Sequence, residues 1–499
     1  MLHALVAAAV ALAPADSILL RVLTINDFHG ALEPRIYGWS QGRPVGGIAA
    51  LKGTMDSLAG ECGCPVIRLD AGDQLQGTLG SNLTFGRSTV EALNLLGLTA
   101  AAVGNHDLDW GVDTLVGRMA EARYPWLAAN IVDSVTGRRP DWVRGWAMVQ
   151  AGPFRIAVIG YLTPQTKTIV MDRHVRGLHF AGGRASIAEA LVEAEAATPD
   201  FTMIVAHEGA RCDSVCDGEI IDLARELDSS GVDLVVAGHT HTLINTAVGE
   251  IPILSARANG TAIGVGDLIL GADGVRRWRT RVDTVYADRV RPDSAAEALV
   301  ARYRPLMDSL ASRIIVVLKD SLLTGRGEFP LGNLIADAQR RAAGATVGLM
   351  NNGGIRRALL PGPISYSDLF ELHPFGNVVV RLRVTGVVLK EVLEHALGDG
   401  VPDSHISGLR VRYDLRRQRG DRIVSIRKLD GVRITPRGRY TLALSDFLAG
   451  GGGGFSMLRS IPPRSTGKTD LEAMIAWLGR LRQPARAPVG RRWIDITPP

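Results

Sequence analysis

Between Ile18 and about Val290, short β-branched or apolar runs alternate with helix-like segments, and five of those runs lead directly into ionisable residues. An apolar run bounded by a polar loop and followed by a helical pattern reads as a strand of an α/β layer, where functional loops sit at the carboxyl ends of the strands. Strands are expected at Ile18–Ile25, Val66–Leu69, Ala100–Val103, Trp126–Ala129, Arg155–Leu162, Phe201–Ala206 and Val232–Ala237. Helices are expected at Ser88–Leu96, Asp113–Ala122, Ala185–Ala196 and Glu219–Leu227. A chain of 499 residues exceeds what one hydrophobic core supports. A charged amphipathic stretch, Ser294–Leu310, has no glycine and one proline, Pro305, and reads as a linking helix between an α/β domain at 17–290 and a second α/β domain at 313–499. In the second domain helices are expected at Leu331–Ala343 and Gly386–Leu397, and strands at Val378–Val384 and Tyr440–Ser445.

Charged residues at 21% and hydrophobic ones at 46% exclude disordered and collagen-like classes. The net charge of +5 comes from arginines dense in 410–427 and 480–492, which read as a solvated basic face that helps attract an anionic substrate. They are not interleaved with a series of aromatic residues, so a nucleic-acid polymer is not the expected partner. At the N-terminus an apolar stretch, Ala4–Ala13, ends in Ala13-Pro14-Ala15, the small-residue pattern of a signal peptide over residues 1–15, although its first residues hold no Lys or Arg. That places the protein in a periplasm or outside the cell. No later segment reaches the roughly 18 apolar residues that span a bilayer, so no stable membrane insertion is expected after cleavage. Four cysteines, Cys62, Cys64, Cys212 and Cys216, suit disulfides in an exported chain, with three connectivities open and a four-cysteine zinc site as the alternative.

The five loops are Asn26-Asp27-Phe28-His29-Gly30, Asp70-Ala71-Gly72-Asp73, Gly104-Asn105-His106-Asp107, Ala206-His207-Glu208-Gly209 and Gly238-His239-Thr240-His241. Ionisable groups directly after buried strands are costly unless something pairs with them. The inventory of Asp27, His29, Asp73, Asn105, His207, His239 and His241 suits two divalent ions, and so many imidazoles favour Zn, Mn, Co or Fe over Mg. One ion is expected on Asp27, His29 and His241, the other on Asn105, His207 and His239, with Asp73 bridging. Two ions about 3.5–4 Å apart activate a shared water and clamp both oxygens of an in-line displacement at phosphorus. His106 is left over, aimed at the leaving-group oxygen as a general acid with Asp109 orienting it.

These loops closely resemble the calcineurin-like metallophosphatases, and in their detail the 5′-nucleotidase and UDP-sugar hydrolase branch. The second half resembles that branch's C-terminal domain through Gly332-Asn333-Leu334-Ile335-Ala336-Asp337, Asn351-Asn352-Gly353-Gly354-Ile355-Arg356, Pro374-Phe375-Gly376-Asn377 and Phe447-Leu448-Ala449-Gly450-Gly451. The resemblance implies a four-layer α/β/β/α metallophosphatase sandwich, a linking helix and a C-terminal α/β 5′-nucleotidase domain that grips the nucleotide and rotates. It further implies that Arg356 and Arg326 hold phosphate, that Phe375 and Phe447 sandwich a base, and that Asn351 and Asn377 hydrogen-bond to the nucleoside. The family's glycine loop usually carries an Asp that contacts the ribose hydroxyls. Here the loop is Gly451-Gly452-Gly453-Gly454-Phe455, so Gly453 supplies no carboxylate. The activity implied is hydrolysis of nucleoside 5′-monophosphates, with nucleotide sugars or di- and triphosphates as further substrates. A cyclic- or 3′-nucleotidase, a sulfur-ester hydrolase on the same scaffold and a non-catalytic surface binding protein are the alternatives.

Overall fold

The computed structural model describes residues 18–228, 230–270 and 276–498, so the 1–15 signal pattern lies outside the described residues. Two mixed six-stranded sheets form the first half. The first runs in the order Arg276–Thr284, Ala262–Leu270, Ile18–Ile25, Val66–Asp70, Ala100–Ala102, Trp126–Leu127, with the last four strands parallel. The second runs Leu243–Val248, Ile251–Ala256, Leu234–Ala237, Phe201–His207, Phe154–Leu162, Trp146–Ala151, with its four central strands parallel and both edges antiparallel.

Period-two alternation sends the two faces of each strand to different cores. Leu20 and Val22 of the first sheet meet Ile156, Met203 and Leu234 of the second in a dry layer between the sheets. Leu23 and Ile25 point the other way, onto helices Ile48–Cys62 and Arg87–Leu96. Ile204, Ala206 and Val235 of the second sheet likewise face helices Ala188–Ala196 and Glu219–Leu227. The result is the four-layer α/β/β/α sandwich. Because both faces of every central strand are covered, these strands read as unbroken apolar runs.

The expected strands and helices of this half recur within a few residues, with one difference. The helix expected at Ala185–Ala196 is a 3₁₀ turn, Arg184–Ile187, followed by the α-helix Ala188–Ala196. The Ser186 hydroxyl donates to the Gly183 carbonyl at 2.7 Å and favours the tighter first turn.

Helix Ser294–Ala311 packs Ala296, Leu299 and Val300 into the first outer core. Further along it Met307 covers Gly80, where a Cβ would lie 2.6 Å from the sulfur. Beyond the helix a five-stranded sheet runs Ser404–Ser407, Val347–Asn351, Arg439–Ser445, Val378–Thr385, Arg464–Thr469. A three-stranded sheet runs Ile423–Lys428, Leu409–Tyr413, Trp493–Asp495. Helices Pro330–Ala342 and Asp470–Leu478 share one core with Met350 and Ile364, and Gly386–Leu397 shares another with Leu349 and Leu382. Cys62 is bonded to Cys64 and Cys212 to Cys216, so each bridge closes a local turn. Among the described residues no helix is long and apolar enough to cross a membrane.

Met203 is fully buried between the sheets. Met203→Ala is expected to destabilise the first half by about 2–5 kcal/mol, the usual cost of a large core truncation. Urea unfolding followed by far-UV circular dichroism checks it through a lowered midpoint.

Candidate metal centre and active site

All five motif loops open at the same end of the sandwich. Asp27 and His29 follow the strand Ile18–Ile25, Asp73 follows Val66–Asp70, and Asn105 and His106 follow Ala100–Ala102. From the facing sheet, His207 ends its own strand, and His239 and His241 follow Leu234–Ala237. Five of these side chains sit on backbone that L-residues avoid: Asp27 (φ 50°), His29 (51°), Asp73 (58°), His239 (69°) and His241 (54°). Left-handed backbone at non-glycine residues costs roughly 1–3 kcal/mol each and persists only where the surroundings enforce it.

The enforcement is a lattice of hydrogen bonds between loops. Asp27 N–H donates to the Gly72 carbonyl at 2.9 Å, His29 N–H to that of Asp73 at 3.0 Å, and Asn259 N–H to that of Asp27 at 2.7 Å. The buried Asp107 carboxylate accepts from the backbone N–H groups of Asp73, Gln74, Leu75 and Gly104 at 2.8–3.2 Å, so it ties the second loop to the third. Burial and the neighbouring Asp73 push its pKa up to about 7 against those donors. Asn26 does similar work at the first loop: its amide donates to Asp27 at 2.7 Å and to the Arg257 carbonyl at 2.6 Å, and its oxygen accepts from Ala256 N–H. Asn26 and Asp107 lie inside the sequence motifs, but their role as braces was not read from them. Their signal there is only a polar residue adjoining a ligand candidate.

The side chains converge in two groups whose ligand atoms lie within 4.8 Å of one another: Asp27, His29 and His241; and Asp27, Asp73 and His207. The first group is the expected trio. The second differs from expectation by drawing in Asp27, while Asn105 Oδ1 stands 3.1 Å from His207 Nε2 and the His239 ring packs against that of His207 with centroids 5.2 Å apart. Asp73 Oδ2 lies between the groups, 3.1 Å from His207 Nε2 and 3.8 Å from His29 Nε2.

The chemistry of this donor set fits divalent cations. His29 Nδ1 is 2.6 Å from the Gln76 carbonyl and His207 Nδ1 2.8 Å from that of Ala71, so each Nδ1 donates and each Nε2 turns its lone pair inward. Those lone pairs meet other candidate ligand atoms. His29 Nε2 faces His241 Nε2 at 3.1 Å, and His241 Nε2 faces Asp27 Oδ1 at 3.3 Å. Acceptors converging at such distances in a buried site are mutually repulsive until positive charge stands among them. Burial holds His29 and His239 down to about 3, as neutral ligands require. For His207 burial also lowers the pKa, but Asp73 and Asp27 outweigh it and bring it to about 10. A metal ion at those lone pairs competes with that proton. Burial would raise the Asp27 pKa, yet His241 and His207 hold it at about 2.

His106 stands beside the two groups. Its backbone N–H donates to Asp73 Oδ1 at 2.7 Å, and its ring Nδ1 is 2.8 Å from Asp109 Oδ2. From the second half, Phe375 stacks on the His106 ring with centroids 5.2 Å apart, and Arg356 Nη2 comes within 3.4 Å of His241 Nε2. The other expected substrate residues lie on elements of the second half. Asn351 ends the strand Val347–Asn351, half-buried, and Asn377 is held near Asp470. Phe447 packs partly on the C-terminal core, with its ring over Gly452. Arg326 is exposed in the loop ahead of helix Pro330–Ala342. Gly453 has φ 60°, and a Cβ there would meet Leu448 and Phe455 at ordinary contact distances of 3.5–3.8 Å.

A two-sheet sandwich with this acceptor array at one end defines a metal-dependent phosphoesterase. Residues 317–460 match the family described as 5′-nucleotidase, C-terminal domain, and residues 27–270 match one described as bacterial capsule synthesis protein PGA_cap. The crystal structure of a 5′-nucleotidase precursor from Thermus thermophilus superposes with a TM-score of 0.86 at 27% identity, covering 97% of this chain and all of that one. A snake venom 5′-nucleotidase from Gloydius brevicauda is 28% identical over 96% of this chain and 89% of its own length. Endonuclease YhcR of Bacillus subtilis is 29% identical over 95% of this chain, which spans 40% of that protein's length. These likenesses support the 5′-nucleotidase family, and residues 317–460 match its C-terminal domain.

A Cβ on Gly104 would fall on the backbone nitrogen and Oδ1 of Asp73. Gly104→Ala is therefore expected to displace Asp73, with bound metal falling severalfold and activity at least a hundredfold. Metal analysis of the purified variant checks this alongside its thermal midpoint, which should move far less than that of a core variant.

Proposed function

We propose that the protein hydrolyses nucleoside 5′-monophosphates to nucleoside and phosphate, with nucleotide sugars or di- and triphosphates as further substrates. The observation that carries this reading is the meeting of the two halves at one point, where Arg356 approaches His241 and Phe375 stacks on His106. An anion grip and an aromatic face thus stand beside the metal-ligand array, as a phosphate joined to a planar base requires. In this reading residues 17–290 form the metal-holding domain, 294–310 the linking helix and 313–499 the gripping domain.

Asp27, His29 and His241 would hold one ion, His207, Asn105 and His239 the other, with Asp73 between them. Two divalent ions, of Zn, Mn, Co or Fe type, supply Lewis acidity at phosphorus and a water of lowered pKa. The remaining work belongs to the chain's own side chains. Arg356 takes phosphate oxygens in its planar fork, a geometry that lysine would not reproduce. Arg326 adds a second cation from its loop. Phe375 and Phe447 stack the base, while Asn351 and Asn377 orient the nucleoside. His106, anchored through Nδ1 by Asp109, gives the proton on Nε2 to the departing 5′ oxygen. Export to a periplasm or the medium accords with the 1–15 pattern and with a venom relative.

Excess chelator is expected to abolish turnover of AMP, and added Mn, Co or Zn to restore it. Full activity of metal-free protein would overturn the reading. His106→Ala is expected to lower kcat for AMP by roughly 10²–10⁴ with metal content nearly intact, since a general acid acts in the transition state. p-Nitrophenyl phosphate should recover much of that loss, because its leaving group needs little protonation. His239→Ala should instead lose metal, which elemental analysis distinguishes.

A further inference from the structure

On the side of the metal centre formed by His29, His241 and Arg356, the two halves enclose a cavity of about 510 Å³. His106 and Phe375 are not among its walls, although Arg356 and Pro374, which are, adjoin Phe375. One wall is the hairpin between Arg35 and Val45. Tyr37 stacks on Trp39 there, with ring centroids 5.7 Å apart and planes 19° apart, and the Arg257 guanidinium lies 4.5 Å over the Trp39 ring. Trp39 is 41% exposed, an unusual position for the largest apolar side chain. Arg257 has φ 59°, and its Nε is buried without a partner. The same residue's carbonyl accepts from Asn26, which holds Asp27. A stacked aromatic pair capped by a guanidinium is a surface for a planar group. The volume falls within the range of about 300–1,000 Å³ typical of small-molecule sites.

A nucleoside monophosphate leaves this space unused, because its phosphate carries no second organic group. A phosphodiester carries one. We infer that the Tyr37–Trp39 cavity is a second nucleoside subsite, which accepts the non-leaving substituent of a phosphodiester and makes the protein a hydrolase of short 3′→5′-linked dinucleotides as well as of monoesters. The inference rests on the nucleotidase reading above, since the leaving nucleoside occupies the same aromatic face in both reactions. Water oxygen bonds to phosphorus, the bond from phosphorus to the 5′ oxygen breaks, and His106 delivers the proton to that oxygen. The nucleoside in the cavity keeps the phosphate on its 3′ oxygen. Adenylyl-(3′→5′)-adenosine and water thus give adenosine and 3′-AMP.

The test is steady-state hydrolysis of AMP and of adenylyl-(3′→5′)-adenosine by the metal-loaded full chain, with products separated at early times. Wild-type protein is expected to turn over both and to release 3′-AMP from the dinucleotide. Trp39→Ala should lower kcat/KM for the dinucleotide tenfold or more, the scale of one lost base–aromatic stack. Its kcat/KM for AMP should stay within about threefold, which also shows that the variant is folded. Trp39→Phe should retain most of the dinucleotide activity. Cleavage of AMP without cleavage of the dinucleotide would overturn the inference and leave the nucleotidase reading standing. So would release of 5′-AMP from the dinucleotide, or an equal loss on both substrates in Trp39→Ala. Turnover of p-nitrophenyl phosphate with neither nucleotide cleaved would overturn both readings.

Discussion

Everything at the open end of the sandwich depends on acceptors facing acceptors. Asp27 and Asp73 are buried carboxylates, and His29 and His207 beside them have their Nδ1 protons committed to backbone carbonyls, so their Nε2 lone pairs face into the site. Such a set is tolerable only around positive charge, and one proton on His207 serves one of those lone pairs at most. The protein therefore carries, in the strained backbone of five ligand candidates, a conformation that makes sense only as a cradle. Asn26 and Asp107 keep it from relaxing, since each binds backbone or side chain of a neighbouring loop and leaves little freedom to swing a ligand outward. Rigid ligand placement of this kind lets a site hold its geometry between turnovers.

The second constraint is the seam between the halves. Glu371, nearly buried, accepts from Arg35 of the first half and Arg357 of the second, and Arg357 also pairs with Asp368. Asn82 donates to the Pro374 carbonyl at 2.8 Å, one residue before the phenylalanine that stacks on His106. Separating the halves exposes the Glu371 carboxylate and takes Arg35 away from it, leaving only Arg357, a cost that water offsets only in part. Helix Ser294–Ala311 is packed into the first half through Ala296 and Leu299, so a rotation of the second half would flex near the end of that helix rather than along it.

Much of this was legible in the amino-acid order, for a physical reason. Strands buried on both faces appear as unbroken apolar runs, and a ligand-bearing loop at the end of such a run, as at Ala206-His207, cannot be mistaken for a solvated turn. The antiparallel edges were not legible. Arg276–Thr284 interleaves arginines with small and apolar residues, and Leu243–Val248 exposes alternate side chains, patterns that a surface loop shares. The braces Asn26 and Asp107 were visible only as neighbours of ligands, because backbone acceptance over thirty or more residues of separation leaves no periodic trace. The helix expected at Ala185–Ala196 was blurred at its start by Ser186, whose hydroxyl competes with the backbone. The seam at Glu371 depends on how the two halves dock, which neither half encodes by itself.

The ligand candidates all come from residues before Thr284, whereas Arg356, Phe375 and Phe447 all come from beyond the helix. The two sets fold in separate hydrophobic cores and meet across a polar seam. Substitutions that reshape recognition in the second half therefore leave the braces of the coordinating loops in place, because Asn26, Asp107 and Asn259 all belong to the first half. A lineage built on this plan can change its diet by drift in one half while its chemistry stays under unrelaxed selection in the other, and chimeras that exchange the halves at the helix should inherit reactivity and taste from different parents.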